Sequence, residues 1–261
     1  MLAVLQGFTE FLPISSSGHL LLPAILFGWP DQGLHVDIAV HLGSLSAVLI
    51  FFRAEIVSMC VGVARSFSAR AWNKEATLAL NLAVASIPAG LIGFLLHGFV
   101  QAQARTVAVM ASASILFALA LWWADSRALA RESRAELASL HLKGALLIGV
   151  AQALALIPGT SRSGVTLTAA RLIGLSREAA AKFSFLLSIP IILASGGLLL
   201  TEIPSSGADL DWRLMLLATL VSALVAFATI HFFLKLLPRI GVLPFVIYRL
   251  VFGAALLLWL S

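Results

Sequence analysis

The sequence predicts an all-α polytopic membrane protein: six transmembrane helices plus two re-entrant helical hairpins, in an inverted-topology repeat. Three observations predict it. The chain is too apolar for water: of its 261 residues 61% are hydrophobic and 11% charged, whereas a soluble domain carries about 25% charged residues. Its mean hydropathy is +1.04. Six apolar runs approach the roughly 20 residues that a bilayer crossing needs: 36–52, 77–96, 106–124, 183–200, 212–234 and 242–260. Lys and Arg collect in alternate connections, which fixes orientation because cytoplasmic loops hold the excess of basic residues.

The N-terminal segment 1–30 is the first hairpin. A short apolar helix runs to Leu12, Pro13 breaks it, a serine-rich turn follows, and an apolar run resumes at Leu20. Residues 20–35 contain no Lys or Arg, so this hairpin dips in from outside. The spans 36–52, 77–96 and 106–124 follow, joined by the basic connection 53–76 inside and by 97–105 outside. Residues 125–143 and 171–182 are both basic and both inside. The apolar stretch between them, 144–170, therefore enters and leaves on one face, and Pro158-Gly159 interrupts it. It is the second hairpin. The spans 183–200, 212–234 and 242–260 complete the chain, with 201–213 outside and 235–241 inside. Each half, 1–124 and 144–261, is one hairpin plus three spans within a single integral membrane domain. An odd number of spans per half inverts one half against the other, and both termini fall outside. Broken helices that meet near the midplane are the mark of such repeats.

The N-terminal apolar stretch has neither a basic n-region nor an A-x-A site, so no cleavable signal peptide is expected. Cys60 stands alone, which excludes a disulfide framework and a cysteine metal site. The net charge of +5 belongs to cytoplasmic loops rather than to a nucleic-acid surface, and no nucleic acid is expected as a partner. Trp29, Trp72, Trp122, Trp123, Trp212 and Trp259 fall near span ends, as an aromatic belt does.

Two polar strings interrupt the hydrocarbon-compatible sequence: QGFTEFLPISSSGH at 6–19 and IPGTSRSGVT at 157–166. Ionisable groups inside a membrane segment are functional candidates by default. Gln6 and Glu10 are four apart and share a helix face. Glu10 suits a hard divalent cation, which takes one or two carboxylates and completes its shell with water and phosphate oxygens. Ser15, Ser16, Ser17 and Gly18 stand where a helix begins, and free N–H groups there bind anions. Ser16 and His19, three apart, offer a hydroxyl nucleophile and a base across one turn, or else His19 as the nucleophile with Ser16 as an orienting donor. Arg162 sits in the second break among Thr160, Ser161 and Ser163, with Thr166 one turn on. Its guanidinium stays charged when desolvated and binds phosphate through two donors, or it pairs with Glu10 and joins the two hairpins. Together the strings predict phosphoryl transfer on a lipid within the membrane. Asp37, His41, His97, His141 and His231 lie near span ends or in loops and are expected to be interfacial, with Asp37 and His41 candidates for an outer mouth.

These residues resemble the bacterial undecaprenyl-diphosphate phosphatases associated with bacitracin resistance. That family has a Glu/Gln-x-x-x-Glu motif running into a serine-rich turn and His, here QGFTEFLPISSSGH, and a PGxSRSxxT motif, here PGTSRSGVT. The similarity extends to VHLGSLSAVLIFF at 40–52 and GVLPFVIYRLVFG at 241–253. The resemblance implies metal-dependent removal of the terminal phosphate from undecaprenyl diphosphate, regenerating the carrier for envelope glycans. It implies Ser16, His19, Glu10 and Arg162 as catalytic residues. Ser161, Arg162 and Thr166 would bind phosphate, joined by Ser15, Ser17 and Ser163 through their place in the two turns, and Glu10 and Gln6 would hold Mg²⁺ or Ca²⁺. The first motif position is Gln6 instead of Glu, one anionic ligand fewer. The implied location is the bacterial cytoplasmic (inner) membrane, with the site open to the periplasmic side, in contact with membrane lipids. A homodimer remains open. A polyprenyl-phosphate transporter or flippase on the same inverted-repeat fold is the competing reading, because fold does not fix function. A transporter needs an anion site but no nucleophile. A zinc protease is disfavoured, because the chain contains no H-E-x-x-H.

Overall fold

The computed structural model describes residues 1–20, 28, 34–69, 71–103, 106–206 and 211–260. Among them every regular element is a helix; the one β feature is an isolated bridge between Ala135 and Leu175. The helices are α1 (Leu2–Thr9), α2 (Leu34–Phe51), α3 (Arg53–Ala69), α4 (Lys74–Gln103), α5 (Val107–Ala130), α6 (Leu142–Ala153), α7 (Arg162–Leu172), α8 (Arg177–Ser206), α9 (Trp212–Ile240) and α10 (Leu243–Leu260). Residues 16–20 are also helical.

Among the described residues four helices are long and apolar enough to cross a membrane, namely α4, α5, α8 and α9, and the bent pair α2–α3 is a fifth if it forms one broken span rather than a re-entrant loop. The α10 helix is apolar but only 18 residues long. The chain is therefore an all-helical, multi-pass membrane protein. Its outer surface is what lipid requires: Phe94, Leu116, Leu216, Leu224, Val251 and Leu258 are all exposed.

The structure corrects several expected connections. The segment 53–76 is not a loop: α3 occupies 53–69 and turns by 72° from α2. Its Met59, Gly62 and Ser66 form a buried stripe. Asn73 fastens the stripe to the start of α4 by donating to the Gly62 carbonyl at 3.1 Å. Basic residues spaced off that stripe do not stop a helix from packing. The segments 171–182 and 235–241 are likewise largely helical, because α8 begins at Arg177 and α9 continues to Ile240. Lys and Arg are good helix formers, and in 171–182 their charges are met. Lys182 donates to Glu55 at 2.6 Å, and Arg177 donates to Asp125 at 2.6 Å. The outside connection 97–105 is helical to Gln103, and 201–213 is helical to Ser206. Most of the expected loop 20–35, with Trp29, lies outside the described residues.

Both expected breaks are present. The short helix α1 ends at Thr9 and a non-helical stretch follows to Ser15. The α6 helix tightens into a 3₁₀ turn over Leu154–Leu156 and stops before Pro158, and α7 starts at Arg162. Each broken segment lies against a long helix of the other half, α1 on α9 and α6 on α4. Glycine permits the close approach. A Cβ at Gly7 would collide with the Ser222 carbonyl, and one at Gly149 with the Ala85 carbonyl. The core beneath the breaks is aromatic, with Phe11 edge-on to Phe185 at 5.3 Å and both rings fully buried.

Candidate active site

The two breaks meet, and they repeat one local geometry. Ser15 and Ser161 both hold positive φ, 72° and 70°. In each turn the serine's Oγ lies 3.2 Å from the serine two residues on, Ser17 and Ser163 respectively. A helix starts immediately after each: Ser161 caps α7 by accepting from Gly164 N at 3.2 Å. Two helix starts with free N–H groups are thus brought to one place. Gly159 has φ +91°, and a Cβ there would run into the Met110 backbone, so the second turn needs glycine.

The charged centre lies between the breaks. Arg162 donates through one arm to Glu10 Oε1 at 3.1 Å and through the other to the Ser184 carbonyl at 3.1 Å. Gln6 donates to Glu10 Oε2 at 3.0 Å, and Ser16 donates to the same oxygen at 2.9 Å. The Arg162 and Glu10 side chains are 11% and 8% exposed, so the pair is nearly dry. Charges at such a depth persist only when paired and hydrogen-bonded. Thr166, one turn along α7, bonds to Ser184 Oγ at 2.6 Å, and Ser163 donates to the Leu12 carbonyl at 2.7 Å. Ser17 is exposed and Ser16 half-buried, which marks the open side.

His19 is not the partner of Ser16. Its Nδ1 lies 2.7 Å from the Ser15 carbonyl, and its Nε2 lies 2.5 Å from the Tyr248 hydroxyl. Both ring nitrogens are engaged, and Phe252 stacks on the ring at 4.6 Å. The Ser16 hydroxyl points to Glu10 instead. Spacing alone favoured the pair three residues apart. The positive φ at Ser15 aims the side chains of this short turn differently.

Arg249, which lies inside the last apolar run, is wholly buried. Its guanidinium donates to the carbonyls of Gly159 and Thr160, both at 2.9 Å, and reaches the Pro13 carbonyl at 3.5 Å. It gathers carbonyls that both broken helices leave unpaired. Sequence reasoning missed Ser184, Tyr248 and the role of Arg249. A signal existed for two of them: an arginine centred in the apolar run IYRLVFG, next to the only tyrosine in the chain.

Of the residues outside the strings, His41 bonds its own helix at the Asp37 carbonyl, 2.7 Å away. His231 is in edge contact with Phe51 and Phe232. Neither is hydrogen-bonded to the two turns, but His41 lies within electrostatic reach of Glu10.

Among the described residues no three His, Cys, Asp or Glu side chains cluster as a metal site. The donor set suits a hard cation nonetheless. The Gln6 Oε1 atom is buried without a hydrogen-bond partner, beside the Glu10 carboxylate. An orphaned amide oxygen and one carboxylate fit a cation that takes its remaining ligands from water and phosphate.

Residues 1–255 match the family model described as Bacitracin resistance protein BacA. The chain belongs to the BacA family. A protein of Alcanivorax borkumensis named undecaprenyl-diphosphatase is 49% identical over 261 residues, which is 100% of this chain and 97% of that protein. One of the same name from Alteromonas mediterranea is 52% identical over 258 residues, covering 98% and 96% of the two chains. Another, from Chromohalobacter salexigens, is 50% identical over 260 residues, with 100% and 97% covered. The BacA match contains both polar strings and the Tyr248-Arg249 pair.

Proposed function

We propose that this BacA-family chain is an undecaprenyl-diphosphate phosphatase. It removes the terminal phosphate of undecaprenyl diphosphate and regenerates undecaprenyl phosphate, the lipid carrier for cell-wall synthesis, and so confers bacitracin resistance. The observation that carries the reading is identity near one half, over the full chain, to proteins named for that activity. A buried arginine beside a hydroxyl that faces a carboxylate supports it chemically. A transporter gains nothing from that hydroxyl.

The finer architecture belongs to the same proposal. Six spans and two re-entrant hairpins, 1–30 and 144–170, form inverted repeats 1–124 and 144–261. The matching serine turns, each with one positive-φ residue, support the repeat. The enzyme works in the bacterial cytoplasmic (inner) membrane with its site facing the periplasm. Each CH₂ buried in lipid is worth about 0.8 kcal/mol, so the prenyl tail stays in the bilayer and the diphosphate must be met there.

Phosphoryl transfer proceeds through a loose transition state, so catalysis is positioning and charge neutralisation. Arg162, Ser161, Ser163, Thr166, Ser15, Ser17 and the N–H groups of the two helix starts hold the diphosphate oxygens. Gln6 and Glu10 would hold Mg²⁺ or Ca²⁺, which supplies charge neutralisation when bound. Ser16 Oγ attacks the terminal phosphorus, the bond from phosphorus to the bridging oxygen breaks, and undecaprenyl phosphate leaves. The hydroxyl proton passes to Glu10 Oε2, 2.9 Å away. Water then attacks the phospho-serine, the P–Oγ bond breaks, and inorganic phosphate leaves. His19 accepts the water's proton while Ser16 recovers its own from Glu10. The test is phosphate release from undecaprenyl diphosphate by the purified chain in detergent. Wild type should release it with Mg²⁺ or Ca²⁺, and Ser16→Ala should lose several orders of rate. Absence of release from the folded wild type refutes the activity; a fully active Ser16→Ala refutes the nucleophile.

A further inference from the structure

Tyr248 covers the ring nitrogen through which His19 would accept a proton in the proposed mechanism. The Ser15 carbonyl can only accept, so His19 Nδ1 carries a proton and donates to it across 2.7 Å. Neutral His19 therefore has its lone pair on Nε2. That lone pair is covered by the Tyr248 hydroxyl at 2.5 Å, which must be the donor. The His19 side is buried, with 4% of the residue exposed, while Tyr248 is 43% exposed. The lone pair of the imidazole is thus reached only through the phenol. The charged groups of the site are engaged elsewhere: Arg249 with the Gly159 and Thr160 carbonyls, and Arg162 with Glu10.

We propose that Tyr248 relays the proton between His19 and the water hydrolysing the phospho-serine. The inference rests on the role given to His19 above. As water attacks phosphorus, its proton moves to the Tyr248 oxygen while the Tyr248 proton moves to Nε2. The phenol ends neutral and His19 ends as imidazolium, its Nε2–H now donating to the Tyr248 oxygen. The reverse transfer to solvent resets the pair. A hydroxyl serves because it both donates and accepts. The stack of His19 on Phe252 at 4.6 Å, with Tyr248 near-parallel to Phe252 at 6.0 Å, holds the rings in register.

The relay belongs to the second half-reaction alone, and that makes it testable. Tyr248→Phe keeps the ring and removes the hydroxyl. Its kcat should fall about 10²-fold, the lower end for a lost proton-transfer group, with KM falling alongside so that kcat/KM is nearly unchanged. An acid-stable phospho-enzyme should accumulate, with a burst of undecaprenyl phosphate, and His19→Gln should behave alike. A merely structural tyrosine predicts no burst. Tyr248 is the only tyrosine, so growth on 3-fluorotyrosine alters this one hydroxyl in an otherwise native chain. The more acidic phenol should displace the pH profile of kcat, which keeps the proposal testable even if the Phe variant misfolds. An unchanged profile in the fluorinated enzyme, or a Phe variant without phospho-enzyme, overturns the relay. If His19→Gln accumulates phospho-enzyme and Tyr248→Phe does not, the relay alone is wrong. If His19→Gln turns over normally, the role of His19 falls and the relay with it.

Discussion

Arg162→Lys separates charge from geometry. Lysine keeps a cation beside Glu10, so the buried pair survives and the protein should fold. What it loses is the second arm. Arg162 reaches Glu10 Oε1 and the Ser184 carbonyl at 3.1 Å each from its two terminal nitrogens. An ammonium is a point charge and cannot span both partners while facing a phosphate. A hydrogen bond from a charged group contributes about 1.5–3 kcal/mol. At about 1.4 kcal/mol per tenfold, losing one in the transition state lowers kcat/KM by about 10- to 150-fold. The assay is phosphate release from undecaprenyl diphosphate in detergent at substrate concentrations well below KM. Melting in the same detergent should change little. A Lys variant with more than half the wild-type kcat/KM refutes the two-armed role.

Glu10→Gln strands the Arg162 charge and should destabilise the fold by about 3–5 kcal/mol, the cost of breaking a buried pair. The double variant with Arg162→Met should regain most of that in a melting assay. Chelation should abolish phosphate release by wild type, and activity that survives thorough EDTA treatment counts against the metal. Cysteines placed at Ser133 and Ser206 in a Cys60→Ser background should be labelled from opposite faces of the membrane. Labelling from one face contradicts the inverted topology. Arg249→Met removes two bonds of 2.9 Å to turn carbonyls and should destabilise by about 3–6 kcal/mol at about 1.5–3 each; a melting temperature equal to wild type argues against its bracing role.

The breaks were legible in the sequence because proline and serine-rich turns interrupt apolar runs whatever surrounds them. Pro13 and Pro158 fall where expected, yet Pro88 and Pro238 lie inside helices. The difference is the polar string that follows each break, which gives the freed backbone groups partners. The span ends were less legible. Positive charge marks a membrane side, not a helix end, so α8 and α9 run through Arg177, Lys182, Lys235 and Arg239. Within the site, Gln6, Glu10 and Arg162 could be placed together from helical spacing and the cost of isolated buried charge. The partners of His19 could not, since Tyr248 is 229 residues away and no local period reaches it.

Arg249 shows why neither half can make this site alone. The first turn supplies Glu10 and Ser16, the second supplies Arg162, and the last helix supplies the guanidinium that holds both turns by their carbonyls. Each turn interrupts a helix in a dry interior, where an unpaired carbonyl costs several kcal/mol. One buried arginine relieves both, and Gly164 leaves room for it: a Cβ there would meet Arg249 Nη1 at 2.8 Å. Bracing of this kind fixes the distance between the hydroxyl and the cation before substrate arrives. That distance is what a phosphoryl-transfer site must control, because its transition state rewards placed charge more than covalent chemistry. The cost of burying Arg249 and the Arg162–Glu10 pair is thus met by the same contacts that set the geometry of the site.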